Sequence, residues 1–256
     1  MIDMIQEYRD PIAECCKSLK LSAGMADRAM VQGGDTHPEF LLALFQQELE
    51  NRRVARITHL LNAAGFPRRH NIDLFVPDEI QFPPGVTLDT LKSLQFYHEG
   101  KNIIMYGSSG TGKTMLSICL GMEACMQDIP AGFFRTAALV NKLSECSAHG
   151  NLNNFLKKLY KNEIIILDEF GYVPYDRNGI MLLFDILSEI HEHKTVILNT
   201  NLEFSRWVNV LYDENMTAAL VSRLLHHCHL LVFPGQNRRL LESSVRALYD
   251  AQSGKE

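Results

Sequence analysis

Apolar residues divide the chain into two regimes. Over residues 1–72 they recur at intervals of three and four, as in Leu41, Leu44, Phe45 and Leu49, then Val54, Ile57 and Leu61. That spacing collects them on one face of a helix, so this stretch reads as helical, punctuated by Gly33-Gly34-Asp35 and Gly65-Phe66-Pro67. Residues 73–88 contain Pro77, Pro83, Pro84 and Gly85 and read as a linker or wrapping segment. From residue 102 the rhythm changes to short apolar runs. Strands are predicted at 102–106 (NIIMY), 131–135 (AGFFR), 163–167 (EIIIL), 195–199 (TVILN) and 229–233 (HLLVF). Helical stretches fall near 113–127, 136–145, 153–160, 180–193 and 217–227, with Thr136 a candidate cap. The third run is apolar after Glu163, as a strand covered on both faces should be. Strands alternating with helices predict a parallel α/β sheet.

Composition narrows the class. The chain has 256 residues, 46% of them hydrophobic and 21% charged, which excludes a disordered or fibrous protein. The length suits one large domain or two smaller ones. A net charge of −5 argues against a globally basic DNA-packaging protein but leaves local binding open. No apolar run approaches the ~20 residues a bilayer requires. The N-terminus lacks a signal-peptide core, and none of the six Cys form a C-x-x-C pair. A cytoplasmic protein with reduced thiols and no membrane partner is expected.

The strongest chemical signal is Gly107-Ser108-Ser109-Gly110-Thr111-Gly112-Lys113-Thr114, a G-x-x-x-x-G-K-[ST] loop between a predicted strand and helix. Such a loop turns successive backbone N–H groups inward around phosphates, at the positive end of a helix. Lys113 is placed to reach the β/γ-phosphates, and the Thr114 hydroxyl to ligate Mg²⁺. The 163–167 strand runs into Asp168-Glu169. This far downstream of the loop, Asp168 reads as the carboxylate that holds Mg²⁺ through water, and Glu169 as the group that orients or deprotonates the attacking water. Asn201, just past the fourth strand, could contact that water or the γ-phosphate, or be an ordinary turn residue. Arg223, between apolar neighbours near a helix end, is either a snorkelling surface residue or a finger that reaches a neighbouring subunit's γ-phosphate.

Charge is also segregated. Residues 51–72 carry Arg52, Arg53, Arg56, Arg68 and Arg69 with no acid, whereas residues 73–100 carry five acids against Lys92 alone. Arg52, Arg53 and Arg56 fall within about 100° of helical arc, opposite Val54, Ile57 and Leu61. Residues 147–162 hold Lys157, Lys158 and Lys161, again without an acid. Each stretch is either a solvated helix face or a contact surface for a phosphate backbone. His226-His227-Cys228-His229 straddles a predicted helix end and strand start, so its side chains point different ways and a metal site is not expected.

These residues, taken in order, resemble the IstB family of insertion-sequence ATP-binding helpers, related to DnaC-type helicase loaders within the AAA+ ATPases. Leu19-Lys-Leu-Ser-Ala-Gly-Met25 is similar to the family's "LKLPGM", and Ala63-Ala-Gly-Phe-Pro67 to "RAGFP". Asp168-Glu-Phe-Gly-Tyr-Val-Pro174 resembles "DELGYLP". Asn199-Thr-Asn-Leu-Glu-Phe-Ser205, with Trp207, resembles "TSNLPFSEW". Arg223-Leu-Leu-His-His-Cys-His229 resembles "RLLHHAH". Ser108-Ser109 replaces the commoner Pro-Pro, which leaves a cradle of backbone N–H groups intact.

The resemblance implies a sheet in the order 5-1-4-3-2, sensor 1 at Asn201, an arginine finger at Arg223 acting between subunits, and a second sensor at Arg239 or Arg238. It implies ATP and Mg²⁺ as ligands, assembly of copies of the chain on double-stranded DNA, and stimulation of a transposase. The expected organisation is a helical N-terminal domain at 1–75, for DNA or partner binding and assembly, and an AAA+ ATPase domain at 76–256 without a full helical lid. The alternatives are a loader whose partner is a hexameric replicative helicase, and a small-molecule kinase using the same phosphate loop.

Overall fold

The computed structural model describes residues 10–235 apart from 12, 18, 23, 32–36, 173–174 and 192. The Gly33-Gly34-Asp35 break, Val173-Pro174 and both Arg238 and Arg239 therefore lie outside the described residues. The chain forms two compact units, Met1–His59 and Leu60–Glu256.

In the first unit, helix α1 (Met25–Val31) and the bulk of the long helix α2 (His37–Ala63) surround a small apolar cluster of Cys16, Met25 and Leu44. Its polar centre is Glu48, only 4% exposed. The carboxylate accepts bonds from the Ser22 N–H and hydroxyl, from Arg28, and from Arg52 Nε at 2.8 Å. A buried carboxylate persists only when paired in this way. Burial pushes the Glu48 carboxyl up, but the bonds from Ser22 and Arg52 and the Arg28 charge together bring it down to about 2. Leu19, Val31, Leu49 and Val54 of this unit are exposed, so the apolar stripe read from the sequence is only partly buried.

The second unit is built on five parallel strands: β1 (Asn102–Gly107), β2 (Ala131–Arg135), β3 (Ile164–Phe170), β4 (Thr195–Thr200) and β5 (Cys228–Phe233). Their order is β2-β3-β4-β1-β5. This is the expected 5-1-4-3-2 arrangement, and it sets β4 between the strands that lead to the phosphate loop and to Asp168. Helix α3 (Lys113–Met126) packs on one face with Ile103, Met105, Ile164 and Ile166. On the other face lie α4 (Thr136–Ala148), α5 (Leu152–Leu159), α6 (Arg177–Ile190) and α7 (Glu214–His226), packed with Ile104, Ile165, Leu167 and Leu198. Asp176 and Asp213 cap α6 and α7, accepting from the Gly179 and Met216 N–H groups, so both helices begin earlier than the apolar pattern predicts. Thr136 is the first residue of α4 and not its cap; its hydroxyl donates to the Asp168 carbonyl at 2.8 Å.

Residues 60–98 wrap this sheet. Phe133 N–H of the edge strand β2 donates to the Ala64 carbonyl at 2.7 Å, and Phe66 meets the Phe133 ring edge-on. At the opposite edge Gln81 exchanges two backbone bonds with Val232 of β5, at 2.9 and 3.1 Å. Ile72, Phe75, Val86, Leu91 and Phe96 are buried between these points. The proline-rich stretch is thus a wrapping segment, and both sheet edges, which would otherwise offer unpaired backbone to another chain, are covered.

Candidate nucleotide-binding site

In a parallel sheet of this order, ligands collect outside the C-terminal ends of the strands. Here that mouth is formed by Gly107, Phe170 and Thr200, where β1, β3 and β4 end. Gly107 sits so close to β5 that a Cβ would lie 2.2 Å from the Phe233 carbonyl oxygen. Gly110 and Gly112 have φ of 79° and 103°, in the left-handed region that favours glycine. Gly112 precedes α3 and provides no side-chain cap, so the first N–H groups of that helix remain available to an anion. Ser108 and Ser109 are exposed, and Thr111 Oγ1 donates to the Ser108 carbonyl at 2.9 Å. Lys113 is buried, its Nζ donating to the Gly107 and Ser108 carbonyls at 2.7 and 2.6 Å. An ammonium held by two loop carbonyls already lies along the cradle's rim.

The two acidic positions differ sharply. Asp168 is 3% exposed and accepts from the Thr114 hydroxyl at 2.9 and 3.2 Å and from Asn199 Nδ2 at 2.8 Å. Asn199 Nδ2 also donates to Ser117 Oγ at 2.9 Å, and Ser117 in turn donates to the Thr114 carbonyl at 3.0 Å. Asn199 Oδ1 is buried without a hydrogen-bond partner, since the opposite amide orientation would set that oxygen against the carboxylate. Glu169 is exposed, and its φ of 59° lies in the left-handed region. The β3–β4 register shifts between Leu167 and Phe170, so Glu169 stands at a bulge that turns it out of the ladder. Thus β3 runs through both acids, where the apolar pattern ends it at 167.

Thr200 Oγ1 donates to the Phe170 carbonyl at 2.9 Å and ties the mouth together. Trp207 is fully buried; its ring packs against Phe170 at a tilt of 47° with centroids 4.5 Å apart, and its Nε1 donates to the Leu202 carbonyl at 3.2 Å. The Phe204–Trp207 element therefore anchors the loop that carries Asn201. Asn201 itself is exposed and lies next to Thr200, which is in register with Tyr106 at the start of the phosphate loop.

The remaining predicted residues are dispersed. Arg223 is exposed on α7, its Nη1 donating to Ser188 Oγ at 2.5 Å and its guanidinium lying over Phe184. Arg52 is held by Glu48 and donates to the Lys20 carbonyl at 2.7 Å; Arg53 pairs with Glu50 at 3.5 Å, and Arg56 is exposed. Arg68 and Arg69 are exposed, with Arg69 donating to Asn62 at 2.9 Å. Lys157, Lys158 and Lys161 are exposed at and beyond the end of α5. Among the described residues no three metal-capable side chains of the His, Cys, Asp and Glu type come together, and no helix is long and apolar enough to cross a membrane.

Sequence reasoning missed Asn199, Ser117 and Thr136. The signal was present: Asn199 is a polar residue ending an otherwise apolar strand, and Ser117 lies one helical turn past Thr114. The sheet order was expected; what sequence lacked was the side-chain packing that turns those positions toward Asp168.

A parallel sheet in this order, with a phosphate loop on β1 and a buried carboxylate on β3, defines a P-loop protein of the AAA+ type. Solved structures agree on the fold. The DnaC helicase loader superposes with a TM-score of 0.50 at 24% identity, over 64% of this chain and 96% of that one. AMPPCP-bound DnaA from Aquifex aeolicus gives 0.52 at 17% identity, over 75% of this chain and 57% of that one. Among sequence relatives, the ATP-binding protein of insertion sequence IS5376 from Geobacillus stearothermophilus is 32% identical over 247 residues, which is 93% of this chain and 97% of that protein. The family profile of IstB-like ATP binding proteins matches residues 20–246. The chain belongs to the IstB-like ATP binding protein family.

Proposed function

We propose that the protein is an ATPase that serves an insertion sequence: copies assemble on duplex DNA with ATP bound, recruit or activate the cognate transposase, and disassemble on hydrolysis. The observation that carries this reading is the convergence of Lys113, Thr114 and Asp168 at the C-terminal end of the sheet, with Glu169 exposed beside them. The Thr114 hydroxyl and the Asp168 carboxylate are hard oxygen donors side by side, a pair suited to Mg²⁺. Bound there with the nucleotide, Mg²⁺ would offset charge on the β- and γ-phosphates.

The chain's own groups supply the rest. The N–H groups of residues 108–114 hold the phosphates, and Lys113 exchanges its loop carbonyls for phosphate oxygens. Asn199 fixes the Asp168 carboxylate toward Thr114, so no reorientation is needed when the site fills. Glu169 orients or deprotonates the attacking water, and Asn201, in the loop just past the intervening strand β4, helps to place it.

Arg223 supports action between subunits. It lies near the end of α7, a few residues before Cys228, which is in register with Asn102 at the start of β1. The phosphate loop is at the far end of that strand, on the order of 15 Å away along the sheet. From there Arg223 serves a neighbour's nucleotide and not its own, as a finger in trans would. The first unit fits a role in assembly, because Leu19, Leu49 and Val54 are exposed there. Phosphate-backbone contacts are assigned to Arg53, Arg56, Arg68, Arg69, Lys157, Lys158 and Lys161, with Arg52 sharing its guanidinium with Glu48. Arg239 or Arg238 completes the proposal as a second sensor.

Duplex binding with ATP and Mg²⁺ tests the reading across a salt series. Binding should weaken steeply with salt, and Arg68→Ala with Arg69→Ala should each lower the logarithmic slope by about 1. Glu169→Gln should retain ATP and hold the DNA-bound assembly. Salt-insensitive or absent duplex binding would overturn the reading. Capture of a replicative helicase in place of the transposase would move it to helicase loading.

A further inference from the structure

We infer that Tyr175 is a positioning residue for Glu169: its hydroxyl holds the backbone turn that presents the Glu169 carboxylate at the mouth of the nucleotide site. The inference rests on the proposed role of Glu169 as the group that handles the attacking water.

Glu169 has φ of 59°, a conformation that side-chain-bearing residues seldom adopt, and Gly171 two residues on has φ of 80°. Gly171 takes that conformation freely, but a side-chain-bearing residue such as Glu169 persists there only where the surroundings over-determine it. Tyr175 supplies that determination. Its side chain is buried, and its Oη accepts from the Gly171 N–H at 2.7 Å and donates to the Glu169 carbonyl at 3.4 Å. One hydroxyl thus spans the turn from the acid to the glycine, adding to the bond that the Tyr172 N–H donates to the same Glu169 carbonyl at 3.3 Å.

The ring is fixed in its turn. Phe170 packs against it with centroids 6.2 Å apart, and the Tyr175 carbonyl accepts from Tyr212 Oη at 3.0 Å. Tyr212 also has a positive φ, 60°, and lies under the Arg177 guanidinium. Burial, with the Glu169 charge adding to it, pushes the Tyr175 hydroxyl up to about 12, so it stays protonated and able to donate at neutral pH. Phenylalanine at 175 would keep the packing but leave the Gly171 N–H and the Glu169 carbonyl without this partner. The bulge would then relax and the carboxylate would move, and displacements near 1 Å in such groups cost about 10²-fold in rate.

The test is steady-state ATP hydrolysis by the full-length protein with duplex DNA, comparing Tyr175→Phe, Glu169→Gln and Tyr160→Phe. Tyr160→Phe removes a tyrosine hydroxyl that donates to Glu189 on the surface and should leave turnover unchanged. Tyr175→Phe should lower kcat by roughly ten- to a hundredfold, while KM and ATP affinity stay within about twofold. A purely structural tyrosine would instead lower the active fraction or raise KM. Unchanged kcat in Tyr175→Phe beside an inactive Glu169→Gln overturns the positioning role alone. Full turnover in Glu169→Gln overturns the reading beneath it.

A second measurement holds if Tyr175→Phe folds poorly. Tyr212→Phe removes only the bond to the Tyr175 carbonyl and should lower kcat by a smaller factor with KM unchanged; no change there also overturns the inference. Finally, Glu169→Gly should raise the unfolding midpoint, since glycine accepts positive φ freely, and should raise it less when Tyr175 is already Phe. Equal gains in both backgrounds would show that Tyr175 does not hold the strained turn.

Discussion

Asn199→Asp is the sharpest probe of the buried cluster, because it changes one nitrogen to oxygen at nearly constant volume. The wild-type amide donates to Asp168 at 2.8 Å and to Ser117 at 2.9 Å, and both Asn199 and Asp168 are almost wholly buried. An aspartate there would set two carboxylates in contact. If both stayed charged, repulsion near 4 Å at an effective dielectric of 20 would cost about 4 kcal/mol. The alternative is for the pair to take up one proton. Protonating a carboxyl whose unfolded value is near 3.9 costs about 4 kcal/mol at pH 7, at about 1.4 kcal/mol per pH unit. Both routes give a loss of about 4 kcal/mol at pH 7.

The protonation route also sets the direction with pH. The pair's folded pKa is raised above its unfolded value, so the folded variant binds a proton that the unfolded chain does not. Its deficit against wild type is therefore largest at neutral pH and shrinks on acidification, to about 2 kcal/mol at pH 5.5. Trp207 is the only tryptophan in the chain and is fully buried beside Phe170, so its fluorescence follows urea unfolding of this unit. Equal stabilities of variant and wild type at both pH values would mean that Asn199 does not contact Asp168. A deficit independent of pH would refute the shared proton.

Three further outcomes follow from particular contacts. Gly107→Ala places a Cβ 2.2 Å from the Phe233 carbonyl, so β1 and β5 must shift apart; thermal denaturation should show a loss of about 2–3 kcal/mol. The Glu48 carboxyl is lowered to about 2, so its contribution is full above its ordinary value of 4.5 and is lost as pH falls from there toward 2; the stability gap between wild type and Glu48→Gln should close over that window in urea titrations. Arg223→Ala should bind nucleotide normally and lose turnover by about 10³-fold. Mixing it with Lys113→Ala subunits should restore part of the activity if the finger acts in trans, and proportional dilution without recovery would refute that.

Much of this architecture was legible in the chain. Five apolar runs alternate with helical stretches, and a strand apolar on both faces has little alternative to the middle of a covered parallel sheet. The phosphate loop was equally plain, because its glycines and Lys113-Thr114 act through local backbone geometry that a short window of sequence contains. Helix starts were less visible. Asp176 and Asp213 cap α6 and α7 from positions that the apolar period does not mark.

Sequence by itself thus determined the class of fold, the cradle and the presence of two acids at the end of β3, since each depends on residues near one another in the chain. Tertiary structure alone decided how those acids differ. Asp168 is buried because β4 lies between β3 and β1, which brings Asn199 of β4 and Thr114 of the helix after β1 to it from 31 and 54 residues away in sequence. Glu169 is turned outward by a bulge whose register depends on β4, and Tyr175 closes the turn through a hydroxyl that no periodicity marks. The same holds for charge: the run of arginines and the i,i+4 spacing of Glu48 and Arg52 were readable, but that Ser22 and Arg28 bury the Glu48 carboxylate follows from packing. Contacts across such separations depend on which surfaces bury one another, and that is set by the whole fold and not by any local stretch of it.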